Sequence, residues 1–193
     1  GNLMDTKSIE WLLKNFNGIV VVDEAYIDFA DTQSWIKKIN EYPNLVVLQT
    51  LSKAWGLAGL RIGFAYSSKE IIHVLNKIKP PYNISEATQQ LALQALQKED
   101  EAQEKTFVLI QQREMLLKAF VAFDFIKKIY PSDANFILVK VDDANNLYKY
   151  LLSKNIVVRN RSSQPLCENC LRITVGTPEE NDSLLKALKE YRV

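Results

Sequence analysis

The sequence predicts an α/β protein made of two segments, and three observations carry that prediction. Short, wholly apolar runs alternate with helical patterns in the first segment, as in a sheet covered by helices. A Pro80-Pro81 pair interrupts the chain at KPPYN, where a helix cannot continue. Beyond it a second set of strands and helices follows and closes on a well-capped helix.

The elements follow in order. Residues 5–16 put Ile9, Leu12, Leu13 and Phe16 on one helical face, and Gly18 ends that helix. GIVVVDEAY (18–26) is a buried strand that runs out at Asp23. Residues 32–40 suit a short helix, NLVVLQT (44–50) is a second buried strand ending at Thr50, and RIGFAYS (61–67) is a third. Strand, helix and strand with apolar strands predict a parallel sheet. SSKEIIHVLNKIK (67–79) opens on hydroxyl caps and carries an apolar stripe.

After the prolines, residues 85–122 predict one long or bent helix, with Leu91, Leu93 and Leu96 early and Leu109, Met115, Leu116 and Phe120 late. FIKKIYPS and ANFILVKV predict strands, 143–154 a helix, and NIVVR and CLRITV strands again. In the closing helix Thr177 is the N-cap, Pro178 takes the first helical position and Glu180 completes a capping box. The charge run KEDEAQEK (98–105) reads as a solvated helix face.

Composition excludes several functions. A net charge of +1 gives no electrostatic basis for binding nucleic acid or an anionic membrane. No apolar run approaches a membrane span, and no signal peptide is read at the start. Cys167 and Cys170 make no disulfide framework, so a reducing cytoplasm is expected. CENC (167–170) precedes a strand and has no second Cys or His pair for zinc, so it reads as a turn. The one histidine, His73, sits in a helix and suits a structural or surface role; a proton-transfer enzyme built this way would use another base.

Ligands of parallel α/β sheets bind beyond the carboxyl ends of the strands. Three strand boundaries here carry chemistry: Asp23 with Tyr26, Thr50 to Lys53, and Arg61. An acid, a phenol, two hydroxyls, a lysine and an arginine fit a phosphorylated aromatic cofactor. The hydroxyls and Arg61 suit a phosphate dianion, Lys53 a Schiff base, and Asp23 a protonated pyridine nitrogen, the pairing used with pyridoxal phosphate. Plainer readings stand beside these. Asp23, Thr50 and Ser52 could cap turns, Arg61 could form a sheet-edge salt bridge, and Arg172 a buried ion pair in an apolar strand. Arg159 shares its strand face with Arg161.

VVDEAYIDFA, TLSKAWGLAGLRIGF and CLRITVGTPEEN resemble the fold-type I pyridoxal-phosphate aminotransferases, and among them the branch acting on histidinol phosphate. The resemblance implies Lys53 as the Schiff-base lysine, Asp23 on the ring nitrogen, Ala25 on the ring face and Tyr26 on the ring oxygen. It implies Thr50, Ser52 and Arg61 on the phosphate, Arg172 as the substrate carboxylate clamp and Arg159 at the substrate phosphate. Tyr82 and Asn83 of PPYN resemble a loop that crosses a homodimer interface. The implied domains are residues 1–79, the C-terminal part of the large cofactor-binding α/β/α sheet domain with its first strands missing, and 80–193, a small C-terminal α/β domain. The family's Asn-Pro-rich motif would lie just upstream of Gly1, so the chain is expected to be an incomplete enzyme. The implied reaction is transamination between histidinol phosphate and 2-oxoglutarate, within histidine biosynthesis. A related enzyme for another amino acid or an aminoalkyl phosphate, or a non-catalytic fragment of this fold, stays open at this point.

Overall fold

A computed structural model describes residues 1–191. Two compact units divide the chain: residues 3–105, and residues 106 onward together with Gly1–Asn2. The stop at Lys79–Pro80 ends a helix inside the first unit, and the division itself falls after Lys105.

The first unit opens with α1 (Thr6–Asn15), capped by the Asp5 carboxylate on the Ser8 N–H. β1 (Val20–Asp23) pairs in parallel with β2 (Leu45–Thr50), and β3 (Gly63–Ser67) lies on the other side of β2. Ile9 and Leu13 of α1 bury against Leu45 and Val47. Between β1 and β2 the expected short helix is a single 3-10 turn, Trp35–Lys38, capped by Ser34. α2 (Lys69–Ile78) follows β3.

β3 runs antiparallel to β2, with Thr50 opposite Gly63, which corrects the parallel expectation. A parallel return needs a crossover, usually a full helix. Residues 51–62 contain only the 3-10 turn Ala58–Leu60, so the chain folds straight back. Gly63 is the residue that permits this closeness, because a Cβ there would meet the Gln49 carbonyl oxygen at 3.0 Å.

The long helix expected over 85–122 is two: α3 (Glu86–Leu96) and α4 (Glu99–Phe120). The Lys98 N–H turns back to the Ala95 carbonyl at 2.9 Å, closing α3 in a tight turn. Ala92, not the leucines, is the buried residue of α3, packing with Leu51 and Ile62, while Leu91, Leu93 and Leu96 are exposed. Residues two apart do not share a helix face, so Leu91 and Leu93 could not both face one small cluster. KEDEAQEK is exposed except for half-buried Ala102, as expected of a solvated face.

The second unit is a four-stranded antiparallel sheet in the order β4 (Ile126–Ile129), β5 (Phe136–Val141), β7 (Cys170–Thr174), β6 (Arg159–Asn160). The later part of α4, α5 (Ala144–Ser153) and α6 (Pro178–Glu190) supply the helices. Leu116, Phe120, Ile137, Val139, Leu147 and Leu171 are among its fully buried core residues. The capping box of α6 is present as read, with Thr177 and Glu180 each bonded to the other's backbone N–H. The strand expected at NIVVR shrinks to Arg159–Asn160 at the sheet edge.

CENC is a turn. The Cys170 N–H bonds the Cys167 carbonyl at 3.0 Å, and Asn169 takes a positive φ of 55°. Both thiols are free. Cys170 is fully buried, and burial pushes its thiol up from the ordinary cysteine range. Since the thiolate is the reactive form, Cys167 is expected to alkylate with iodoacetamide well before Cys170 in the folded chain. Equal rates by peptide mass spectrometry would show that the turn opens.

Candidate active site

In the first unit the carboxyl end of β1 and the end of β2 lie side by side, and antiparallel β3 begins at the same rim. β1 delivers Asp23 as its last residue. Its Oδ1 accepts the Ala25 N–H at 3.0 Å, which turns the chain sharply and leaves the carboxylate exposed. Tyr26 follows at the bend and leads into the 3-10 turn Ile27–Phe29.

β2 delivers Thr50, then Ser52 and Lys53. The Thr50 hydroxyl donates to Ser52 Oγ at 2.9 Å and lies 3.1 Å from the Ile62 carbonyl oxygen, while the Ser52 N–H donates back to Thr50 Oγ1 at 3.1 Å. Two hydroxyls and a backbone amide are therefore gathered in one turn. Lys53 Nζ stands 5.2 Å from the centroid of the Tyr26 ring. The two strand ends thus bring the amine onto the phenol, across a sequence separation that no local pattern encodes.

Arg61 sits immediately before Ile62, whose carbonyl faces Thr50. It adopts the left-handed conformation, φ 55° and ψ 41°, and its Nη1 donates to the Ala58 carbonyl at 2.9 Å. A non-glycine residue in that region carries strain of about 1–2 kcal/mol, and such strain concentrates at functional sites. Gly56, with φ 66°, takes the other left-handed position of this loop at no such cost.

This donor set fits pyridoxal phosphate chemically. There is one carboxylate for a ring nitrogen, one phenol, one amine, and a hydroxyl pair with an arginine on the same loop. Ala25 lies between the two β1 contributors, small enough for a flat ring to approach. Tyr82 is fully exposed with φ 59°, and Asn83 beside it is exposed too, both between α2 and α3.

The second unit holds the other two arginines. Arg159 and Arg172 are direct cross-strand partners on β6 and β7, so their side chains leave the same face of the sheet. Like charges placed opposite each other are unfavourable. The Arg172 guanidinium lies over the Phe136 ring, 5.0 Å from its centroid, and its Nε is buried without a hydrogen bond. Arg159 is exposed. A paired-cation surface with an unsatisfied donor is suited to an anion.

Glu24 gained no role from the sequence reading, although it stands inside DEAY. It is buried and accepts hydrogen bonds from Ser34, Trp35 and Gln49. A charged residue continuing an apolar strand was the available signal; its partners, 10 to 25 residues away, were not.

The profile of aminotransferase class I and II matches residues 1–188. The chain belongs to the class I and II aminotransferases. Within that family it is 56% identical over 189 residues to the histidinol-phosphate aminotransferase of Flavobacterium johnsoniae, covering 98% of this chain and 54% of that protein. It is 52% identical to the histidinol-phosphate aminotransferase of Parabacteroides distasonis, over all of this chain and 56% of that one. The aminotransferase chain therefore spans about half the length of the curated relatives it matches. Its fold is that of the crystal structure of the histidinol-phosphate aminotransferase from Clostridium acetobutylicum, with a TM-score of 0.90 at 24% identity over 98% of this chain and 59% of that one. The Sinorhizobium meliloti histidinol-phosphate aminotransferase, solved in complex with pyridoxal-5'-phosphate, aligns with a TM-score of 0.77 and 29% identity over 89% of this chain and 48% of that one. The fold-type I class read from the motifs holds. Among the described residues no helix is long and apolar enough to cross a membrane.

Proposed function

We propose that this chain is the lysine-bearing part of a pyridoxal-phosphate-dependent histidinol-phosphate aminotransferase. Its reaction exchanges the amino group of histidinol phosphate with the keto group of 2-oxoglutarate, in histidine biosynthesis. The supporting observation is 56% identity over 98% of the chain to a protein of that name, with Asp23, Tyr26 and Lys53 all present at the rim.

Bound pyridoxal phosphate supplies an aldehyde that captures amines and a protonated pyridine ring that accepts the electron pair of a broken bond. This chain's own residues do the rest. Lys53 would hold the cofactor through Nζ, and its amine, once free, would act as the base that takes the proton from the substrate α-carbon and carries it for return. Asp23 would keep the ring nitrogen protonated, Tyr26 would donate to the ring oxygen, and Ala25 would pack on the ring face. Thr50, Ser52 and Arg61 hold the phosphate. Arg172 takes the carboxylate of glutamate or 2-oxoglutarate, and Arg159 the phosphate of histidinol phosphate. Histidinol phosphate carries no carboxylate, so the two arginines alternate between anions in the two half-reactions. Residues 1–79 serve as the cofactor-binding part and 80–193 as the small domain. The working enzyme is a cytoplasmic homodimer in which Tyr82 and Asn83 reach the partner.

The test is an assay of the whole polypeptide that carries this chain, with histidinol phosphate against aromatic amino acids as donors and 2-oxoglutarate as acceptor. Histidinol phosphate is expected to have the higher kcat/KM. A strong aromatic preference would move the enzyme to another branch, and no transamination by either donor would sink the reading.

A further inference from the structure

Glu24 is an acid placed where only apolar side chains are expected. Asp23 and Glu24 are consecutive at the end of β1 and point to opposite sides, as strand alternation requires. Asp23 is exposed at the rim, whereas Glu24 is only 6% exposed. The Glu24 N–H donates to the Leu48 carbonyl at 2.8 Å, so the parallel ladder continues one residue past Asp23.

Its carboxylate gathers three segments. Oε2 accepts the Ser34 hydroxyl at 2.6 Å and Gln49 Nε2 at 2.9 Å, and Oε1 accepts the Trp35 N–H at 2.7 Å. Gln49 Nε2 also reaches Ser34 Oγ at 3.3 Å, closing the network. Ser34 and Trp35 begin the 3-10 turn after β1, and Gln49 is the residue before Thr50. Burying a carboxylate is unfavourable unless its lone pairs are filled. Here three neutral donors fill them. An apolar residue at position 24 would strand the Trp35 N–H and the Gln49 amide. Packing alone therefore does not account for an acid at this point.

We propose that Glu24 is a positioning residue for the cofactor site: its carboxylate clamps the end of β1 to the end of β2 and so sets Asp23, Ala25 and Tyr26 against Thr50, Ser52 and Lys53. The clamp reaches both halves of the site through single peptide links, Glu24 to Asp23 and Ala25 on one side, Gln49 to Thr50 on the other. It touches neither cofactor nor substrate. The inference rests on the proposed use of pyridoxal phosphate at this rim.

The experiment compares Glu24→Gln, Gln49→Glu and the double exchange with the unaltered protein, in the whole polypeptide carrying this chain. Glu24→Gln puts an amide NH2 in place of the Oε2 acceptor, so the Ser34 hydroxyl loses its acceptor and Gln49 must turn its amide over, giving up its contact with Ser34 Oγ. The double variant restores a carboxylate–amide pair between the same positions, and the amide oxygen introduced at position 24 stays free to accept the Trp35 N–H. Two readouts are taken: hydrogen exchange of peptides covering 23–30 and 49–53, and the dissociation constant of pyridoxal phosphate from its visible absorbance. Glu24→Gln is expected to speed exchange in both peptides and to weaken the cofactor about tenfold or more, the effect of leaving a buried group unpaired. The double exchange is expected to recover most of both. A structural role confined to folding would lower the melting temperature and leave the affinity of the folded fraction unchanged; that result overturns the proposal, as does failure of the double exchange to recover affinity. If the unaltered protein shows no cofactor absorbance, the reading of the site as a pyridoxal-phosphate site fails instead, and the exchange data alone then decide whether the clamp exists.

Discussion

Lys53→Ala is expected to abolish the visible absorbance of protein-bound pyridoxal phosphate and the adduct that borohydride would otherwise trap. Turnover is expected to fall by at least on the order of 10²–10⁴-fold, the contribution of one positioned proton-transfer group. The physical ground is placement. Lys53 Nζ lies over the Tyr26 ring, and Lys53 follows the Thr50–Ser52 turn at the end of β2, the strand paired with the one that ends at Asp23. Lys53→Arg sharpens the result. It keeps a cation at the site, but arginine stays protonated and so can neither attack the aldehyde nor accept the α-proton. Loss of both signals in Lys53→Arg shows that the amine matters as nucleophile and base, not as charge. Undiminished borohydride trapping in either variant would move the role to another lysine.

Arg172→Met is expected to separate binding from stability. Three contributions to folding change together. An unpaired buried Nε–H disappears, worth about 1–3 kcal/mol in favour of the variant. The like-charge opposition to Arg159 is relieved, by about 0.2–1 kcal/mol. The contact over the Phe136 ring is exchanged for a thioether, at a loss of about 0.5–2 kcal/mol. The result is a stability at most about 1 kcal/mol below that of the unaltered protein and up to about 3 kcal/mol above it, read from denaturant melts. Loss of a charge-assisted hydrogen bond to the substrate anion costs about 1.5–3 kcal/mol, which is a rise in KM of roughly 10- to 150-fold. Had Arg172 been half of a structural buried ion pair, removing it would cost about 3–5 kcal/mol of folding energy. A melt of that size with an unaltered KM would assign it that role.

Much of the fold was legible because it rests on short-range physics. The run GIVVV forms β1 as read and Asp23 marks where it stops, but it is not buried throughout: Val20 and Val22 are half-buried while Ile19 and Val21 are exposed, so a purely apolar run did not tell how many faces are covered. Thr177, Pro178 and Glu180 together specify a helix start, and the capping box formed as read. The misreadings share one cause. The leucines of α3 looked like a core stripe because apolar spacing was read without knowing how small the facing cluster was. NIVVR looked like a strand, yet the pairing there covers only Arg159 and Asn160, because a strand's extent depends on the partner beside it.

The site divides along the same line. The residue types of the proposed phosphate-binding, lysine-bearing loop were written in TLSKAWGLAGLRIGF, since each is set by chemistry at its own position. The tertiary structure alone decided that β3 returns antiparallel and brings Arg61 to the rim. It alone decided that Arg159 and Arg172 stand opposite each other in register, and that Glu24 ties Ser34 and Gln49 into one clamp. These are pairings across 10 to 25 residues or between separate strands. Their free energy comes from burial and hydrogen bonds that exist only once the chain has folded, so no local period or motif carries them.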